Sequence, residues 1–124
     1  MARPAIITRD TTALAEDELT ARVFRTLGDP NRLRVIKLLA EQGELTQSEL
    51  ISKLGLTQSR ASEHLACLIW CGFVASERRG RATVYRVADE RAVTFVELGQ
   101  AFVSDHGGAL NSCQVLSKRT VRDA

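Results

Sequence analysis

Aromatic residues are scarce in this chain of 124, which has four Phe, one Tyr and one Trp. A core built from such a sequence must rest on Leu, Val, Ile and Ala, and the 44% of hydrophobic residues is enough for one domain. No apolar run approaches the ~18 residues that a membrane span needs. The first dozen residues, MARPAIITRDTT, lack the apolar stretch of a signal peptide, so a cytoplasmic protein is expected. Cysteines number only three, an odd count that argues against a disulfide framework and for reduced thiols. Charge of one sign is also missing. A net charge of +2 does not announce a nucleic-acid partner, so any basic footprint must be local. There is no Gly-rich phosphate loop, nucleophile elbow or zinc-protease helix, which leaves an enzyme as the least supported class.

What is present is helical punctuation. Residues 1–12 have no periodicity and read as a loose arm. Leu19, Val23, Phe24 and Leu27 recur at helical spacing over 14–27, and Gly28 ends that helix. Asp29-Pro30 opens a heavily apolar second helix that Gly43 closes. Thr46, with Glu49 three residues on, makes a capping box for a short helix ending at Gly55.

Thr57 then caps the helix around which the chain is organised, TQSRASEHLACLIWCG. Its first turns carry Gln58, Ser59, Arg60 and Ser62, polar groups suited to base edges and phosphates. Ala61, Leu65, Leu68 and Ile69 supply the apolar side expected to anchor the helix, and Gly72 the stop. Cys67 and Cys71 share one face of its far end, with Cβ atoms roughly 5–6 Å apart. A short helix, a tight turn and a polar-faced helix form a helix-turn-helix pattern. Two β-prone stretches, 73–78 and 82–87, follow around Arg79-Gly80-Arg81 and predict a hairpin. Its Arg78, Arg79, Arg81 and Arg86 suit DNA phosphates beside the reading helix. The expected fold is mainly α with a small β-hairpin, a winged helix-turn-helix.

A last helix is expected over 89–106, broken by Gly107-Gly108, so that the domain is 13–106 and 107–124 form a tail holding Cys113 and the basic Lys118, Arg119 and Arg122. Ala92, Val96, Gly99 and Val103 make a small-residue stripe that predicts a homodimer surface, shared with Leu19 and Val23 of the first helix.

Three stretches together, LGDPNRLRVIKLL, ELTQSELISKLGLTQSRASEHLACL and GRATVYRV, resemble the ArsR/SmtB family of winged-helix repressors over residues 19–106. The resemblance implies a homodimer that binds operator DNA and leaves it when metal binds. One group of that family carries cysteines in the helix before the reading helix, where residues 44–50 here have none. Another uses His and carboxylates on the last helix, whose spacing Asp89 and His106 do not match. Cys67-x-x-x-Cys71-Gly72 with a later cysteine is similar to the cadmium/lead-sensing CmtR subgroup. That similarity implies a site of Cys67 and Cys71 with Cys113 from the partner subunit.

Three thiolates suit soft ions such as Cd(II), Pb(II) or Hg(II), with As(III) a further candidate, whereas structural zinc prefers four ligands. His106 or a water is available as a fourth ligand. His64 lies on a face near the core and reads as a hydrogen-bonded structural histidine, and Trp70 as packing near the site. Two other readings stay open on the same fold: a thiol-based redox regulator and a protein-interaction module.

Overall fold

A computed structural model describes residues 11–113. The elements are α1 (Thr11–Leu27), α2 (Pro30–Gln42), β1 (Leu45–Thr46), α3 (Gln47–Leu54), α4 (Gln58–Trp70), β2 (Val74–Arg79), β3 (Ala82–Val87) and α5 (Glu90–Ser112). No helix among these residues is long and apolar enough to cross a membrane.

The centre is α2, which touches α1, α3, α4, α5 and β3. Its Val35, Ile36 and Leu39 meet Leu50 of α3 and Leu65 and Leu68 of α4 in the buried core. Each such side chain contributes roughly 1.5–3 kcal/mol when removed from water. Burial of this apolar stripe, more than intrinsic propensity, fixes where α4 lies.

The helix boundaries follow local chemistry. The Asp29 carboxylate accepts from the backbone N–H groups of Asn31 and Arg32, with Pro30 at the first turn. Thr46 and Glu49 form the complete capping box of α3. At the end of α4, Gly72 takes φ +88°, its N–H donates to the Ile69 carbonyl, and the Phe73 N–H donates to the Leu68 carbonyl. That pair of bonds is a Schellman cap, a turn that needs a left-handed residue and so suits glycine. Buried Phe73 and Leu68 supply its hydrophobic contact.

The sheet order is β1-β3-β2, antiparallel throughout. The hairpin closes over Gly80 and Arg81, between the paired residues Arg79 and Ala82. Gly80 has φ +63° and Arg81 has no positive φ, the pattern of a II′ turn.

Five expectations change. Leu45-Thr46 forms a two-residue strand against Tyr85 and Val84 that no sequence periodicity marks. Gly107-Gly108 does not break α5, which continues to Ser112 with Cys113 as its C-cap. Each helical glycine costs about 1 kcal/mol against alanine, and the Ser112 hydroxyl donates to the Gly108 carbonyl in that last turn. The small-residue stripe divides. Ala92 and Val96 are 1% and 6% exposed and belong to the chain's own core, while Gly99 and Val103 are exposed. Trp70 is not packed but 91% exposed. Of the expected arm, Thr11 and Thr12 begin α1; the remainder, like the basic end of the tail, lies outside the described residues.

A large apolar face stays open. Leu14, Leu19 and Phe24 of α1 and Leu98, Phe102 and Val103 of α5 are each more than half exposed. Phe24 meets Phe95 edge to face at 5.8 Å and ties the two helices together.

Candidate nucleic-acid interface and thiol site

The first turns of α4 are held as a rigid polar surface. The Thr57 hydroxyl accepts from the Arg60 N–H at 3.2 Å, satisfying a donor that the helix start leaves free. Gln58, Ser59, Arg60 and Ser62 are exposed, while Ala61 and Leu65 hold the opposite side in the core. Ser62 is further engaged, because its hydroxyl accepts from Gln47 Nε2 at 3.0 Å. Gln47 Oε1 in turn accepts from the Tyr85 hydroxyl at 3.4 Å. Burial pushes the Tyr85 phenol up from its ordinary value, so it remains a donor. This chain links α3, the reading helix and β3. Gln47 went unnoticed in the sequence because its role depends on two partners distant along the chain.

The wing arginines separate into held and free. Arg79 donates to both carboxylate oxygens of Glu44, at 2.8 and 2.9 Å, and to Glu77 at 3.2 Å. The hydrogen bonds from Arg79 hold the Glu44 carboxyl below its ordinary range. Arg78 reaches the Thr83 hydroxyl, at 3.4 Å, and makes no ion pair among the described residues, and Arg86 lies 3.9 Å from Glu77. Arg81, at the turn, makes no ion pair among the described residues. Of the expected phosphate ligands, Arg81 and Arg78 are therefore available and Arg79 is engaged.

The other end of α4 carries the thiols. Cys67 is half-buried and Cys71 exposed, and both are free. Cys71 Sγ lies 3.6 Å from the buried Thr26 hydroxyl of α1. A cavity of about 240 Å³ opens beside it, lined also by Phe73, Asp89 and Phe95. Cys113, half-buried, sits far along α5, and among the described residues of one chain no three His, Cys, Asp or Glu side chains gather as a metal site. The thiol pair thus has the right chemistry for part of a soft-metal site and lacks a third ligand among the described residues of its own chain.

Neither histidine is placed as a ligand. His64 is 8% exposed, and its Nδ1 accepts from Arg32 Nε at 3.2 Å. Arg32 Nη1 also donates to the Thr26 carbonyl at 3.2 Å. His106 stacks on Phe102 at 4.4 Å. Arg32 and Thr26 carried no sequence signal beyond their place around Asp29-Pro30.

The tri-helical core, the short helix leading into a polar-faced α4 and the adjoining hairpin define a winged helix-turn-helix DNA-binding protein. The model of the bacterial regulatory protein arsR family matches residues 29–76. Over 96 residues the chain is 38% identical to a probable mercury resistance operon repressor of Streptomyces lividans, a match covering 77% of this chain and 76% of that protein. It is 42% identical over 69 residues to the regulator CmtR of Mycobacterium tuberculosis, covering 56% of this chain and 58% of that one. A homodimeric winged helix-turn-helix DNA-binding domain of Mycobacterium bovis superimposes with a TM-score of 0.69 at 29% identity, covering 86% and 93% of the two chains. The chain belongs to the ArsR family and is a transcriptional repressor of that family, not an enzyme.

Proposed function

We propose that the chain is a cytoplasmic repressor that binds operator DNA as a homodimer and leaves it when a soft ion binds a three-cysteine site. The favoured ions are Cd(II) and Pb(II), with Hg(II) or As(III) served by the same donors. The observation that carries this reading is the position of Cys67 and Cys71, free thiols together at the end of the reading helix, with no third ligand gathered beside them among the described residues. Cys113 of the partner subunit completes the set. The name of one relative, the probable mercury resistance operon repressor, points the same way.

Gln58, Ser59, Arg60 and Ser62 face base edges in the major groove, with Thr57 fixing the helix start and Arg78 and Arg81 on phosphates. Two such helices in a dimer read half-sites about 34–36 Å apart. Leu19, Val23, Gly99 and Val103, with the exposed apolar residues beside them, meet the second copy. Each thiol gives up its proton to solvent as it becomes a ligand.

Metal and operator are then coupled reciprocally. Cd(II) should weaken the affinity of the reduced parent for a duplex selected from a random pool by about 5- to 150-fold. Cys71→Ser and Cys113→Ser should each bind that duplex as the parent does and lose most of the response, because a hydroxyl is a poor ligand for a soft ion. Mixing Cys67→Ser with Cys113→Ser chains should rebuild one intact site per heterodimer. If Cys113→Ser alone responds like the parent, the three-cysteine site is wrong. Release by peroxide with Cd(II) inert would assign the chain to thiol redox sensing instead.

A further inference from the structure

The buried corner where α1 runs into α2 holds the reading helix by polar contacts at two points. One is in the middle of α4, where Arg32 Nε donates to His64 Nδ1 at 3.2 Å. The other is at its C-terminal end, where the Thr26 hydroxyl faces Cys71 Sγ at 3.6 Å. Arg32 joins the two, since its Nη1 donates to the carbonyl of Thr26 at 3.2 Å. Asp29 completes the corner. It caps α2, accepts from the Arg32 backbone N–H and lies 4.0 Å from His64 Nδ1.

We propose that Arg32 is a positioning residue for DNA recognition, the fulcrum on which α4 is set, and that Thr26 is the tether through which the state of Cys71 reaches the DNA-facing turns. The apolar side of α4, Ala61, Leu65 and Leu68, fixes its depth in the core but is non-directional. The Arg32–His64 bond is directional, and it joins the middle of the helix to a corner pinned by Asp29-Pro30. Arginine is needed because its planar fork presents Nε to the imidazole and Nη1 to the carbonyl at once. A lysine ammonium cannot reproduce both directions.

At 1.5 Å per residue, Gln58 lies roughly 9 Å to one side of His64 and Cys71 roughly 10 Å to the other. The arms to these two ends are nearly equal, so a displacement of about 1 Å at Cys71 appears as nearly 1 Å, in the opposite sense, at Gln58, tapering to about 0.3 Å at Ser62, enough at the helix start to spoil hydrogen bonds that need 2.7–3.2 Å. Among the described residues Cys71 has no ligand cluster around it, and its recruitment into one would loosen its hold on Thr26.

The Arg32 arm is tested on metal-free protein, with a duplex selected by the parent from a random pool and a scrambled duplex of equal length. Arg32→Lys keeps the charge, so binding to the scrambled duplex should stay within about twofold at matched salt, because that binding is electrostatic. Binding to the selected duplex should weaken about tenfold, the size expected for a lost hydrogen bond from a charged donor. His64→Asn places an amide oxygen where Nδ1 stands and should retain more selectivity than His64→Leu. Equal affinities of Arg32→Lys and parent for the selected duplex would overturn the proposal. So would equal losses on both duplexes, which mark general damage, or His64→Leu reading as well as His64→Asn.

The Thr26 arm rests on the metal response proposed above. Thr26→Val keeps the shape and removes only the hydroxyl. With the hold on Cys71 already gone, it should bind the selected duplex more weakly than the parent without Cd(II), and so show a reduced ratio of affinities without and with Cd(II). A parental ratio removes Thr26 as the tether. Absence of any Cd(II) effect in the parent sinks the metal reading and the tether with it, while the Arg32 result stands or falls on its own.

Discussion

The two ends of α4 are finished to different degrees. At the N-terminal end the polar groups near the core are joined within the same chain: Thr57 accepts from the Arg60 N–H, Ser62 accepts from Gln47 and Gln47 accepts from the Tyr85 hydroxyl. At the C-terminal end the backbone is closed by a Schellman turn, yet two free thiols and a bare indole stand beside it. A surface that one chain completes by itself is ready to meet a rigid partner such as a duplex. A pair of thiols with no third ligand beside it among the described residues is suited to a ligand whose remaining contacts come from elsewhere.

The largest effects should come from the residues that serve both ends. Leu68 is fully buried and also closes the Schellman turn against Phe73. Leu68→Ala should cost about 2–5 kcal/mol, read by chemical denaturation, through lost transfer energy and the cavity left behind. Trp70→Ala, two residues on, should change the stability of a dilute, dissociated chain by less than about 0.5 kcal/mol, as expected for an exposed position. A large loss at Trp70 under those conditions would mean that the C-terminal end is covered within its own chain, and the contrast between the ends would fail.

Gly99 tests what covers the open face. A Cβ added at Gly99 meets nothing within 4 Å in its own chain. In the isolated chain Gly99→Leu should therefore stabilise α5, by up to about 1 kcal/mol of helix propensity. In a dimer packed closely at that point it should cost about 1–3 kcal/mol of overpacking. Opposite signs for chain stability and for dimerisation, measured by denaturation at low concentration and by sedimentation, are the expected outcome. A dimer as tight as the parent's would place the second copy on another face.

What was legible in the sequence was what depends on neighbours along the chain. Asp29-Pro30, the Thr46/Glu49 box, Thr57 and Gly72 are local devices, and each marks its boundary where expected. The apolar periodicity of α2 and α4 likewise identified the core. The misses depend on distance. β1 exists only because Leu45 and Thr46 meet Tyr85 and Val84. The Gly107-Gly108 pair looked like a stop, but its local penalty does not outweigh the continuation of a 23-residue helix. The small-residue stripe of α5 was read as one surface, although Ala92 and Val96 are buried in the core while Gly99 and Val103 line an open groove beside Pro30 and Leu33 of α2. For the candidate site, the placing of both thiols at one end of α4 was readable from their spacing. The carboxylates around Arg79 were not, since Glu44 lies 35 residues away.

That separation of Arg79 from its carboxylates yields the smallest predicted effect and the finest test of how the DNA end is built. A phosphate contact by Arg79 requires its guanidinium to leave Glu44 and Glu77, whereas Arg81 at the turn gives up no ion pair. Arg81→Ala should therefore weaken binding to all duplexes alike and reduce the salt slope by about 0.9, the value for one lost contact. Arg79→Ala should change the slope less, because the parent's Arg79 reaches a phosphate only in the fraction of complexes where its ion pairs on the wing are broken. Glu44→Gln releases one of the two carboxylates holding Arg79, so it should raise affinity for scrambled DNA and steepen the slope, an effect that Arg79→Ala should cancel in the double variant. If Arg79→Ala lowers the slope as much as Arg81→Ala does, the carboxylate fork yields freely to DNA and does not restrain the wing.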